Sequence, residues 1–330
     1  MSYKVRISGV GGYVPPQVLS NKDLERIVDT SDEWILRRTG IRERRILKGK
    51  NTSYMGVQAV KSMLKSTGID PSSVDLLICG TNTSETVFPG AGNLIVHTCG
   101  MDKASCFDLQ AGCSGFLHAL RMGTFAISSG GAKRAVIVGM DKMSSVVDYA
   151  DRRNCVLFGD GGGCVLLEET QGSNEIVDFH IETDGSKTDL LCKKAGEGPG
   201  PFPDVKPKDR DLYFHHDGAT IFKLATMGMA DVCRKIVDRN NLNINQIDWL
   251  IPHQANLRIL QSVRANLDLP EEKVLYNLDN YGNTSAASIP LCLWNFEKKF
   301  QPGDNILLVT FGAGLSWGVS YLRWSYKVSS

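Results

Sequence analysis

The chain has 330 residues, with 37 Lys and Arg against 36 Asp and Glu, 42% hydrophobic residues and 22% charged ones. A net charge of +1 gives no bulk electrostatic case for binding nucleic acid or a membrane surface. No apolar run approaches the ~20 residues of a membrane-spanning helix, and the length suits one large domain or two ordinary ones.

The N-terminus reads as a strand over Lys4–Gly9, not as an export signal. Gly9-Val10-Gly11-Gly12 begins like a dinucleotide fingerprint, but Val14 replaces the third glycine and Pro15-Pro16 block a helix. Short helices are expected at Lys22–Val28 and Asp32–Arg38, with Thr30 and Glu33 in a capping-box pattern before the second. Trp34 lies one turn before Arg37 and Arg38, and five arginines fall between residues 37 and 45. Arg suits phosphate and an exposed Trp suits a flat base, so the segment fits a phosphorylated, adenine-bearing ligand. A solvated charged face with Trp34 in the core fits the pattern equally well.

A helix at Ser53–Ser66, a strand at Leu76–Gly80, a helix at Ala91–Cys99 and a strand at Cys106–Leu109 follow. Cys113 then stands between that strand and a helix at Ser114–Ser129, flanked by Ala111, Gly112, Ser114 and Gly115. A thiol there meets helix N-terminal N–H groups and the positive end of the dipole, which favour thiolate. Strands at Ala135–Gly139 and Gly163–Leu167 come next; the glycines at 159–163 open no helix, so they lack phosphate-cradle geometry.

A soft boundary divides 1–172 from 173–330. The second half opens with a strand at Ile176–Glu182. Residues 195–208 are rich in Gly and Pro and are expected to form a surface loop. His215 and His216 read as loop residues without metal-ligand spacing. A helix at Ala219–Asn240 and a strand at Trp249–Pro252 lead to His253, just before a helix at Asn256–Asn266. A strand at Lys273–Tyr276 leads to Asn283, in a Gly/Asn turn before a helix at Ser285–Phe300. Strands at Asn305–Thr310 and Gly318–Trp324 flank Phe311–Leu315, whose backbone N–H groups suit an oxyanion.

Strands alternate with helices in both halves, the mark of an α/β layered fold. Cys113, His253 and Asn283, each at a strand-to-helix junction, read as nucleophile, acid/base and orienting amide. The halves echo each other in element order, with Cys113 in the first answered by His253 in the second. The nine cysteines include no C-x-x-C pair, which argues against structural zinc, and with no export signal read at the N-terminus a reducing cytoplasm is expected.

Seven blocks in order resemble the β-ketoacyl-acyl carrier protein synthase III family of the thiolase superfamily. They are T-S-D-E-W-I-L-R-R-T-G-I-R-E-R-R (30–45), the Cys113 turn, D-R (151–152), F-G-D-G-G-G (158–163), P-H-Q-A-N-L-R-I (252–259), Y-G-N-T-S-A-A-S (281–288) and F-G-A-G-L-S-W-G (311–318). The resemblance implies a five-layered αβαβα fold of two similar halves, and a cytoplasmic homodimer. It implies condensation of an acyl-CoA primer, acetyl-CoA in the first instance, with malonyl-acyl carrier protein through a covalent acyl-Cys, without cofactor or metal. Carried over by motif, Cys113, His253 and Asn283 form the triad, and the N–H groups of Cys113 and Ala313 form the oxyanion hole. Trp34, Arg38, Arg152, Phe222 and Asn256 resemble CoA contacts, and Phe88 the residue that lines the acyl pocket across the dimer. Gln254, Ala255, Asn256, Leu257 and Arg258 resemble the carrier-protein contact.

Three features depart from the family pattern: Ala313 in place of glycine, the loop at 195–208, and Ala265 and Asn266 where basic residues are expected. Rival readings are a starter condensing enzyme of secondary metabolism using a longer, branched or aromatic primer, a cysteine thioesterase or hydrolase, and a scaffold that only binds acyl carriers. The surroundings A-G-C-S-G-F differ from the C-G-S-C-W of a papain-like nucleophile.

Overall fold

The structure is a computed structural model that describes residues 3–172, 175–194 and 209–327, so the Gly/Pro segment 195–208 and the boundary pair 173–174 lie outside it. Its first half runs β1 (Val5–Tyr13), β2 (Val18–Ser20), α1 (Asn21–Leu24), α2 (Asp32–Thr39), β3 (Glu43–Arg45), α3 (Thr52–Thr67), β4 (Leu76–Gly80), α4 (Ala91–Thr98), β5 (Ser105–Leu109), α5 (Gly115–Ser128), β6 (Arg134–Lys142) and β7 (Asp160–Glu169). The second runs β8 (Ile176–Thr183), β9 (Leu191–Cys192), β10 (His215–His216), α6 (Gly218–Arg239), β11 (Trp249–Pro252), α7 (Leu257–Asn266), α8 (Leu278–Tyr281), α9 (Ser288–Phe296), β12 (Asn305–Gly312) and β13 (Ser316–Arg323).

Two sheets carry the architecture, ordered β1-β7-β6-β4-β5 and β11-β12-β13-β8. Their central strands are apolar on both faces. Along β6, Ala135 and Ile137 face one core while Val136 and Val138 face another. Along β12, Ile306 and Leu308 face the core shared with β6, while Leu307 and Val309 face a third. A sheet buried on both faces needs a layer on each side. Helices α3 and α4 cover the outside of the first sheet, α6 covers the outside of the second with α7 against it, and α5 and α9 fill the space between. Helix α9 buries six consecutive residues, Ser288 to Leu293, as a helix enclosed on every side does. The layer order is the αβαβα of the thiolase-like fold.

The halves match in strand pairing except at one edge. In the first sheet β1, β7 and β6 pair antiparallel, and β6-β4-β5 is parallel. In the second β8, β13 and β12 pair antiparallel, and β12-β11 is parallel. The place of β5 is taken by a single parallel bridge, Leu250 to Val274. This corrects two expectations. Lys273–Tyr276 is not a strand: Pro270 opens a 3-10 turn over Glu271–Lys273, which leaves room for one bridge only. The internal echo is also offset. Cys113 follows β5, so its counterpart is the Asn283–Ser285 turn before α9. His253 follows β11, so its counterpart is Thr81 after β4.

Other elements differ in extent. β1 runs on through the glycines to Tyr13, because Gly11 and Gly12 pair with Cys164 and Gly163. Helix α1 stops at Leu24, followed only by isolated turns, instead of reaching Val28. The N-cap of α2 is Ser31, whose Oγ accepts from Trp34 N at 3.1 Å, and not Thr30. The helix expected at Ser285–Phe300 is a 3-10 turn, then α9, then a second 3-10 turn. Pro290 sits in the first turn of α9, where no backbone donor is needed.

Paired glycines let the central helices approach the first sheet. Gly80 and Gly139 are partners across β4 and β6. A Cβ on Gly80 would lie 2.6 Å from the Gly115 carbonyl carbon, and one on Gly139 would collide with Ala286 O. The start of α5 and the turn before α9 therefore rest on bare backbone. Gly139→Ala is expected to destabilise the fold by about 2 kcal/mol or more, since rigid backbone must give way. A lowered urea midpoint at unchanged slope measures this; an unchanged midpoint refutes it.

Candidate active site

The three singled-out residues converge. Cys113 lies in the 3-10 turn Gly112–Ser114 that leads into α5. Asn283 lies two residues before the 3-10 turn that opens α9, and His253 directly follows β11. All three line one cavity of about 570 Å³. Ser285, at φ 52°, donates its hydroxyl to Cys113 Sγ at 3.5 Å.

Hydrogen bonds fix which atoms remain for chemistry. Asn283 Oδ1 accepts from Ser285 N at 2.9 Å, which leaves Nδ2 as the available donor. Ser288 Oγ donates to Ser285 O at 2.9 Å and lies 2.8 Å from His253 Nδ1. With its own proton committed, Ser288 accepts from Nδ1–H, so Nε2 of the neutral ring carries the free lone pair. Ala313 sits against the Cys113 turn: a Cβ on Gly112 would be 2.7 Å from Ala313 N. Thr310 Oγ1 donates to Cys113 O at 3.3 Å, and Ser114 Oγ lies 3.0 Å from Ser316 Oγ, so these turns are tied together.

The electrostatics correct one expectation. Burial pushes the Cys113 thiol up to about 12, opposed by the Ser285 hydrogen bond and reinforced by the Asp141 carboxylate. Burial pushes His253 down to about 4, opposed by the Ser285 backbone. The resting pair is therefore thiol and neutral imidazole, not the thiolate expected from the helix terminus. Desolvation of a charged sulfur outweighs the partial charge of one helix end.

The remaining wall carries the residues expected at a CoA site. Trp34, Arg38, Phe222 and Asn256 line the same cavity. Trp34 is flanked by two guanidinium groups, with Arg38 Cζ 5.9 Å and Arg152 Cζ 5.5 Å from the ring centroid. Arg152 donates to Asp29 O at 2.8 Å. Arg258 lies 5.4 Å over Phe222, and Asn256 caps α7 while donating to Arg38 O at 3.1 Å.

Some expected residues sit elsewhere. Gln254 is fully buried, with Oε1 accepting from Asn277 N at 2.8 Å, so it cannot meet a carrier protein. Ala255 and Leu257 are half-buried, and Arg258 is the exposed member of that stretch. Arg44 is no phosphate ligand: it is buried and donates to Asn21 Oδ1 and Val156 O, both at 2.6 Å. Phe88 is away from the cavity and 85% exposed beside Val87 at 94%. Sequence reading missed Ser285 and Ser288, although both stand in the block that holds Asn283, and it missed Asp141, which carries no motif. Among the described residues no group of three His, Cys, Asp or Glu could hold a metal ion.

Comparison with known proteins agrees with this geometry. Residues 107–185 match the family model of 3-oxoacyl-[acyl-carrier-protein (ACP)] synthase III, and residues 237–324 match the model of its C-terminal part. The chain is 46% identical over 323 residues to beta-ketoacyl-[acyl-carrier-protein] synthase III 1 of Bacteroides thetaiotaomicron, covering 97% of this chain and 96% of the relative. It is 42% identical over 326 residues to the synthase III of Porphyromonas gingivalis, covering 98% and 97%. The crystal structure of 3-oxoacyl-[acyl-carrier-protein] synthase III from Aquifex aeolicus superposes with a TM-score of 0.90 at 39% identity, covering 97% of this chain and all of that one. The chain belongs to the β-ketoacyl-acyl carrier protein synthase III family, the acyltransferases that carry out the initiating condensation of type II fatty acid synthesis.

Proposed function

We propose that this chain transfers the acyl group of an acyl-CoA primer, acetyl-CoA, to Cys113 and condenses it with malonyl-acyl carrier protein, releasing CO₂ and 3-ketoacyl-carrier protein. The observation that carries the reading is the single cavity lined both by Cys113, His253 and Asn283 and by Trp34, Arg38 and Asn256. A thiol nucleophile and a surface for a phosphorylated aromatic ligand share one space. The thiol itself carries the acyl group and CO₂ loss supplies the carbanion, so the chemistry calls for no cofactor.

The hydrogen-bond pattern orders the steps. His253 Nε2 takes the Cys113 proton as the sulfur attacks the thioester carbonyl, and the N–H groups of Cys113 and Ala313 receive the oxyanion. CoA leaves as its thiolate, so His253 keeps the proton and now presents Nε2–H. The malonyl thioester loses CO₂, and its enolate oxygen accepts from Nε2–H and Asn283 Nδ2. The enolate carbon attacks the acyl-Cys, the C–S bond breaks, and His253 returns the proton to Cys113. A carboxylate at position 283 would repel the enolate; an amide does not. A homodimer fits the bare Val87–Phe88 surface, which then lines the partner's acyl pocket. Arg258 offers the cation for an acidic carrier protein, and the free cysteines fit a reducing cytoplasm.

Three measurements test this. Intact-protein mass spectrometry with C2 to C12 acyl-CoAs and no malonyl donor should show one acyl adduct, strongest with acetyl-CoA and absent in Cys113→Ser. Labelling by long or branched primers alone would favour a specialised starter enzyme, and no labelling would sink the nucleophile assignment. Asn283→Ala should lower condensation roughly 10²–10³-fold while Cys113 still acylates; normal condensation would remove Asn283 from the mechanism. With the thiol near 12 and His253 near 4, alkylation of Cys113 by iodoacetamide should climb about tenfold per pH unit from pH 7 to 10. A plateau below pH 8 would instead reveal a preformed thiolate–imidazolium pair.

A further inference from the structure

Behind Cys113 lies a carboxylate that the mechanism above does not use. Asp141, near the end of β6, is 0% exposed. Its Oδ1 accepts from Asn82 N at 2.7 Å and from the hydroxyls of Thr81 and Thr83, each at 3.2 Å. Its Oδ2 accepts from Asn82 Nδ2 at 3.0 Å and Ala286 N at 3.1 Å. Asn82 Nδ2 also donates to Gly112 O at 3.1 Å. One carboxylate thus connects the loop after β4, the turn that carries Cys113 and the turn that follows Asn283.

The second half repeats the device. Asn82 is the second residue after β4, as Gln254 is the second after β11. Gln254 likewise brackets two segments, accepting from Asn277 N at 2.8 Å and donating to Ser288 O at 3.4 Å. In each half an amide two residues past the strand end ties that end to a neighbouring segment of the site. The first half alone adds a carboxylate, and that carboxylate reaches across to the second half through Ala286.

We propose that Asp141 is a positioning residue for condensation, its buried carboxylate clamping the turn of Cys113 to the turn of Asn283. The proposal rests on the condensing role given above. Five N–H and O–H donors converge on two oxygens, an arrangement that only an ionised carboxylate satisfies, because an amide brings hydrogens of its own. Burial holds this carboxyl above the usual carboxylate range, and the hydrogen bonds from Asn82 and Ala286 oppose that rise. The same charge sits close enough to the thiol to raise it. Asp141 therefore does two separable things: it sets the distance between two reacting groups, and it opposes thiolate formation.

Asp141→Asn separates these effects, because they move in opposite directions. The titratable and charged groups around Cys113 are His253 after β11 and Asp141 of β6; on the cavity wall stand Arg38 of α2, Arg153 between β6 and β7, His216 of β10 and Arg258 of α7. Only Asp141 changes. The alkylation profile of Cys113 by iodoacetamide should move to lower pH, with about a tenfold faster rate at fixed pH for each unit of movement. Condensation should fall roughly 10²-fold, the cost of an ångström-scale misplacement. A residue serving stability alone would lower the melting temperature and leave the alkylation profile in place. An unmoved profile or undiminished condensation in folded Asp141→Asn overturns the proposal.

If Asp141→Asn does not fold, Asn82→Ala carries the test. It keeps the charge and cuts the link to Gly112, so condensation should fall while the alkylation profile does not move to lower pH. Full condensation by Asn82→Ala overturns the clamp. Failure of the condensing reading itself would show differently, as wild-type Cys113 that alkylates normally and takes no acyl group from any acyl-CoA.

Discussion

Two apolar helices must share the one layer between two sheets, and the rest of the molecule follows from that packing. The central strands of both sheets are buried on both faces, so α5 and α9 cannot be displaced to the surface without exposing the core they share. The start of α5 and the turn before α9 meet over Gly80 and Gly139, where side chains are absent. That meeting point brings Cys113 from one half beside the Asn283–Ser285 turn of the other. His253 joins them because β11 ends at the same level, its last residue paired with Val309 of β12.

The depth of this junction sets its chemistry. A site between two sheets is poorly solvated, and desolvation acts against both ions of a thiolate–imidazolium pair. The resting state is neutral on both sides, with the thiol near 12 and the imidazole near 4. In the proposed mechanism charge appears only as the acyl group transfers, in a place where hydrogen-bond donors already wait for it. The serines at the start of α9 shape this junction as much as Cys113, His253 and Asn283 do. Ser288 fixes the imidazole tautomer, and Ser285 binds the sulfur through its hydroxyl and Asn283 through its backbone.

The entrance to the cavity is built differently, from surface segments. Helix α2 and the start of α7 are joined through Asn256 and the Arg38 carbonyl, and Trp34 stands between two arginines. Stacking and cation contacts of this kind hold a flat, anionic ligand without burying its charge. The division suits a ligand whose nucleotide end stays near water while its thioester end reaches the dry interior.

By itself the sequence determined the alternation of strands and helices, the position of Cys113, His253 and Asn283 at element junctions, and the Trp34–Arg38 pair on one helix. These rest on local periodicity, small-residue turns and capping chemistry, which neighbouring residues express directly. The tertiary structure alone decided that Lys273–Tyr276 narrows to a single bridge, that Arg44 and Gln254 turn inward, and that the counterpart of Cys113 is the Asn283 turn and not His253. Each depends on what packs against the segment from a distant part of the chain. The same holds for the thiol: its turn favours thiolate locally, but burial between two sheets, a property of the assembled layers, reverses the sign. Asp141 was invisible for the same reason, since its five donors, from residues 81–83 and from Ala286, give it meaning only once the chain has folded.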